Sequence, residues 1–89
     1  MAMDFSRDSE ILKALGHPVR LKIVTGLLGN DGCNVNKMVA KLSIPQSTVS
    51  QHLATLRHAG VVVHEKDGTK ICYRVAHKRI AALLKALKG

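Results

Sequence analysis

Aromatic side chains are almost missing from this sequence, which has one Phe, one Tyr and no Trp in 89 residues. Hydrophobic residues still make up 46% of it, so any core must be aliphatic, built from Leu, Ile, Val and Ala. Cysteine is equally scarce. Cys33 and Cys72 are too few for a disulfide framework and lack zinc-finger spacing, which fits a reduced cytoplasmic protein. No apolar run approaches the roughly 20 residues needed to span a membrane, and no signal-peptide pattern opens the chain. A cytoplasmic location with no membrane partner is therefore expected. There are no paired carboxylates, no glycine-rich phosphate loop and no nucleophile–base constellation. An enzyme is not expected, and neither a catalytic residue nor a cofactor is assigned.

Negative charge is also in short supply. Six Asp and Glu stand against 14 Lys and Arg, a net charge of +8. Residues 1–31 are balanced, with Arg7, Lys13, Arg20 and Lys22 against Asp4, Asp8, Glu10 and Asp31. The excess lies in residues 32–89, where the only acidic side chains are Glu65 and Asp67. Such a field attracts a polyanion, and neutralised phosphates would supply much of the affinity.

The length supports one domain, residues 1–89, with a modest core. Ser6 can cap a first helix with Ile11, Leu12 and Leu15 on one stripe, stopped by Gly16. Pro18 suits the first turn of a second helix, which carries Val19, Ile23 and Leu27 on one face and ends at Gly29. Gly29 to Gly32 reads as a turn. Asn34 can cap a third helix, Val35 to Leu42, with Val35, Met38, Val39 and Leu42 at inward spacing. After the connector Ser43-Ile44-Pro45 a fourth helix runs to about Ala59, stopped by Gly60. Val61 to Lys66 and Thr69 to Val75 flank Asp67-Gly68, a strong hairpin signal. A last helix from about His77 to Leu87 has its stripe at Ile80, Leu83, Leu84 and Leu87. The order of helix, helix, helix–turn–helix, hairpin and helix is mainly α with a small β-hairpin, a winged helix-turn-helix.

The fourth helix is the most informative element. At about 100° per residue, Val49, Leu53 and Leu56 form a buried stripe bordered by His52. The opposite face carries Ser47, Gln51, Ala54 and His58, flanked by Thr48 and Thr55 on one side and Ser50 on the other. An ordinary solvated face would carry Glu and Lys, yet residues 42–56 contain no charge. Small hydroxyls and an amide suit the major groove, where Gln can bond an adenine edge with two hydrogen bonds. Gln46, Ser47, Thr48, Ser50, Gln51 and Thr55 are thus the candidate base readers. Lys37 and Lys41 on the preceding helix, Arg57, and Lys66 and Lys70 around the hairpin tip are candidate contacts to DNA backbone or groove.

Three segments resemble the ArsR/SmtB family of repressors. These are Leu12-Lys13-Ala14-Leu15-Gly16-His17-Pro18-Val19-Arg20-Leu21-Lys22-Ile23-Val24, the run Gln46 to Arg57, and Gly60-Val61-Val62 with Ile71-Cys72-Tyr73-Arg74-Val75. The resemblance covers about residues 10–80 in unbroken order. It implies a homodimer joined through the first and last helices, with Ile11, Leu12, Leu15, Ile80, Leu83, Leu84 and Leu87 at the interface. It also implies binding to an imperfectly palindromic double-stranded operator, and release by a chemical signal. The family's sensor residues do not carry over. Asn34 and Asn36 stand where one metal site has Cys-x-Cys, Lys78-Arg79-Ile80 where another has carboxylate and imidazole ligands, and Thr25 where persulfide sensors have cysteine. Asn lacks the soft thiolate that zinc, cadmium or arsenite requires. No metal site is assigned.

In winged helices the segment before the third helix often adds a short strand beside the second wing strand. That would place Cys33 near Cys72 as a redox or thiophilic-metal switch acting on the wing. The simpler reading, two unrelated cysteines of which one is packed and one exposed, is preferred. Among the histidines, His17 caps or precedes the second helix and His52 edges the core. His64 pairs with Ile71 and points away from Cys72, while His58 and His77 are exposed. Two alternatives to sequence-specific DNA binding remain: non-specific nucleic-acid binding, and a protein-interaction role with no sensor. The second would favour apolar or acidic residues on the outer face of the fourth helix, and none is there.

Overall fold

Asp4, not Ser6, starts the first helix: its carboxylate accepts the Arg7 backbone N–H at 3.0 Å, and α1 runs Phe5–Leu15. Both residues are good caps. The earlier start adds two residues, and Asp8 still falls in the first turn, near the positive end of the helix where a carboxylate is favoured. Ser6 lies inside the helix, its carbonyl accepting the Ser9 hydroxyl. The computed structural model describes residues 3–29 and 32–88, with the side chains of Asn34, Asn36 and Met38 outside that description. The caps and contacts expected of those three, and the middle of the Gly29–Gly32 turn, therefore fall outside the described residues.

Helix α2 spans Pro18–Gly29 and begins at the proline, as expected. His17 caps it, its Nδ1 accepting the Val19 N–H at 3.1 Å. Ile23 and Leu27 are buried, but so is Val24, which lies off the single face read from the sequence. The reason is position: α2 is apolar nearly all round because α1, the two helices of the helix-turn-helix and the hairpin all pack against it.

The segment before the third helix is a 3-10 turn, Gly32–Asn34, and not the expected short strand. Helix α3 follows at Val35–Ala40, ending before the expected Leu42. Residues 41–43 tighten into a turn held by Leu42 N–H to Val39 and Ser43 N–H to Ala40, and Ser43 takes a left-handed φ of 55°. Helix α4, Gln46–His58, ends where Gly60 turns left-handed at φ 79°.

Strands β1, Val62–Asp67, and β2, Lys70–Val75, form one antiparallel pair. The loop is Gly68-Thr69 and not Asp67-Gly68, so the register moves. His64 faces Tyr73 and not Ile71, and Glu65 faces Cys72. Gly68 alone of the two loop residues has positive φ, the arrangement of a type II′ turn with glycine first. Helix α5, Lys78–Lys88, closes the described chain.

The core is aliphatic. Ile23, Val24, Val49, Leu56, Val61 and Val62 are essentially inaccessible, each contributing about 1.5–3 kcal/mol by burial. Tyr73 packs on this core only partly, and Phe5 is exposed. The element order, helices with one hairpin in a winged helix-turn-helix, is the one expected.

The two cysteines are not unrelated. Cys33 and Cys72 are both half-buried and joined by a disulfide with Cα atoms 4.0 Å apart. A fully reduced chain, expected from their small number, is not what this structure contains. Spacing along the sequence could not reveal the pair, because 39 residues separate its members.

Candidate nucleic-acid interface

Helix α4 is held by its apolar side. Val49, Leu53 and Leu56 are buried against α1, α2 and the first wing strand. That anchorage leaves Gln46, Ser47, Ser50 and Gln51 exposed on the first two turns, with Thr48 half-buried beside them. The exposed face has no charged side chain before Arg57, which is half-buried at the end of the helix.

Two grooves divide the helix. Gln46 and Ser50 line a cavity of about 360 Å³ with Thr69, Lys70 and Ile71 of the hairpin, so the start of the helix and the wing tip share one concave surface. Thr55 lies apart from it. It lines a different cavity with Arg7, Glu10 and Lys13 of α1, and its hydroxyl donates to the Gln51 carbonyl at 3.1 Å. The candidate readers are therefore not one cluster: Thr55 faces α1, away from the wing.

Beside the helix stand the cations. Lys66 and Lys70 are exposed on the two wing strands, and Lys37 and Lys41 are exposed on α3 and the turn after it. Glu65, the one glutamate of the hairpin, is turned to Arg74 at 3.4 Å, leaving these lysines outside that pair.

A second layer fixes the helix orientation, and sequence reasoning identified only part of it. His52, on the border of the buried stripe, has its ring 4.6 Å from that of His17. The Arg20 guanidinium donates to the Ala14 carbonyl and, at 3.4 Å, to His52 Nδ1. A guanidinium has no lone pair to offer, so Nδ1 must be the unprotonated nitrogen. Burial, then the neighbouring His17 and Arg20, lower the His52 pKa below its ordinary value and keep the imidazole neutral near pH 7. The helical wheel placed His52 at the edge of the core, but Arg20 as its partner has no local signal because 32 residues separate them.

Of the apolar residues assigned to an interface, Ile11, Leu15, Ile80 and Leu84 are buried within the chain. Leu12, Leu83 and Leu87 are exposed, at 58%, 37% and 70%. Met3, Ile11, Leu12, Ile80 and Leu83 line an apolar groove between α1 and α5, and Arg7 of α1 donates to Nε2 of His77, the residue just before α5, at 3.1 Å. Among the described residues no group of three or more His, Cys, Asp or Glu is arranged to hold a metal ion. No helix among the described residues is long and apolar enough to cross a membrane.

Comparison with known proteins gives a consistent result. Residues 15–65 match a family described as a helix-turn-helix domain. The chain is similar to the transcriptional repressor PagR of Bacillus anthracis, at 38% identity over 96% of this chain and 85% of that protein. It is 43% identical to the HTH-type transcriptional repressor SmtB of Mycobacterium tuberculosis over 84% of this chain, which spans 55% of SmtB. The crystal structure of PagR superposes with a TM-score of 0.84 over 96% of this chain and 97% of that one. HlyU of Vibrio cholerae superposes with the same TM-score at 31% identity, covering 98% and 94% of the two chains.

Proposed function

We infer, because the chain belongs to the ArsR/SmtB family of winged helix-turn-helix transcriptional regulators, that it is a sequence-specific DNA-binding repressor which reads bases with the first two turns of α4. The observation that carries this reading is the exposed, uncharged face of Ser47, Ser50 and Gln51 beside a wing that presents Lys66 and Lys70. Gln51 can bond an adenine edge through both ends of its amide, and the serine hydroxyls adapt to several bases. Gln46 and Thr48 flank them, while Thr55, its hydroxyl donor already engaged, is the most peripheral reader. Lys37, Lys41 and Arg57 supply phosphate contacts that set the register without reading sequence. The role is regulatory and not enzymatic.

Two copies pair through α1 and α5. The exposed Leu12, Leu83 and Leu87 and the apolar groove between these helices support that arrangement, since a small domain gains stability by covering such surface. A twofold pair presents two α4 helices to successive major grooves, which calls for a palindromic operator. Replacing Gln51 with Ala tests the reading. Discrimination among operator variants falls by about 1–3 kcal/mol, measured by fluorescence anisotropy across a panel of duplexes. Equal weakening on every duplex would contradict it.

A further inference from the structure

We propose that Cys33 and Cys72 form a thiol–disulfide exchange site, reactive toward small thiols and disulfides, that sets how tightly the protein binds its operator. The proposal rests on the reading of α4 and the wing as the DNA surface.

The bond joins two parts that chain connectivity leaves independent. Cys33 lies in the 3-10 turn leading into α3, the first helix of the helix-turn-helix, and Cys72 lies in β2 of the wing. Cys33 also lines the groove shared by Gln46, Ser50, Thr69 and Lys70. The disulfide thus ties the wing to the helix pair that carries the base readers.

Three features suit the pair to reversible chemistry. Both cysteines are half-buried and so within reach of a small thiol. The two segments also meet beside the bond: a Cβ built on Gly32 would overlap the Tyr73 carbonyl oxygen, so the backbones lie in direct contact there. Lys70 and Arg74 lie two residues to either side of Cys72 and thus on its face of the strand. Glu65 lies directly opposite Cys72 and pairs with Arg74, which leaves Lys70 outside that pair to meet the carboxylates of a small thiol such as glutathione.

The exchange balances with a small thiol RSH. Its thiolate attacks one cysteine sulfur, the protein S–S bond breaks, and the other cysteine leaves as a thiolate. A second RSH then attacks the mixed disulfide and releases RSSR. Overall, one protein disulfide and two RSH give one protein dithiol and RSSR, with two electrons and two protons passing to the protein. The reverse, with RSSR as oxidant, restores the bond.

The tether removes wing motion that would otherwise have to be frozen on binding, so the oxidised form binds more tightly. The test measures anisotropy on a duplex taken from upstream of the protein's own gene and on a shuffled duplex, after equilibration with oxidised or reduced glutathione. Mass spectrometry follows the pair. The expected mass difference is two hydrogens. Operator affinity is expected to fall by about threefold or more on reduction, and Cys33→Ser/Cys72→Ser should bind like the reduced chain under both conditions. Equal operator affinity of the two verified redox forms overturns the proposal, as does a pair that glutathione fails to interconvert. If the operator is preferred over shuffled DNA and bound with the same affinity in both forms, the DNA reading stands and only the switch is lost. No preference over shuffled DNA in either form would remove the DNA reading itself.

Discussion

At Gly32 the absence of a side chain is a packing requirement. Any Cβ there would occupy the space of the Tyr73 carbonyl oxygen, and backbone cannot move aside as a flexible side chain can. Gly32→Ala should therefore destabilise the fold by about 2–3 kcal/mol. That corresponds to a Tm lower by roughly 10 °C or more, read by circular dichroism. A Tm within about 2 °C of the parent would contradict the close approach of the 3-10 turn to β2. In the sequence this glycine looks like any turn residue. Its contact is with a residue 41 positions away, and nothing local signals it. The same holds for Arg20 against His52, whereas the closeness of Cys33 and Cys72 was readable from the winged-helix layout, though as the less favoured alternative. By contrast, His17 as a cap and Pro18 as a helix start were legible, because each acts within its own turn of chain. Asp4 and Ser6 mark the limit of that local logic, since two good capping residues two apart compete on equal terms.

Elements were easier to read than their partners. The stripe of Val49, Leu53 and Leu56 follows from helical period alone, and the uncharged face opposite it was visible for the same reason. Helix α2 was read too narrowly because a centrally placed helix buries more than one face, which periodicity cannot separate from a single stripe. The hairpin shows a different failure. Choosing Asp67-Gly68 instead of Gly68-Thr69 shifts every cross-strand partner by two residues, yet a shift of two keeps each side chain on its face. His64 was therefore placed correctly away from Cys72 and wrongly opposite Ile71. The wing as an element also carries its own prediction. Lys66→Ala removes a cation from an exposed strand without touching α4. Affinity should fall by a similar factor on all duplexes, and the slope of log K against log salt should shrink by about one. A change in which duplex is preferred would mean that the wing reads bases.

For the whole molecule, positive charge and exposed leucines coincide on α5, while the helix-turn-helix and wing carry charge without exposed leucines. The positive excess lies in residues 32–89, half of it in the helix-turn-helix and wing and half on α5, where Lys78, Arg79, Lys85 and Lys88 share the helix with Leu83 and Leu87. The exposed leucines lie on α1 and α5. A dimer can therefore close through the leucines of α1 and α5 while the basic helix-turn-helix and wing meet DNA, and both features were readable as composition and periodicity. What composition cannot distinguish is specific from non-specific binding, because phosphate attraction serves either. The most direct measurement is the affinity of the chain, at a fixed near-physiological salt concentration, for a duplex from upstream of its own gene against a shuffled duplex of equal length. The account predicts a preference of at least about 10³-fold with two chains bound per site. Affinities equal within about threefold would contradict it, leaving a basic domain that holds DNA without reading it.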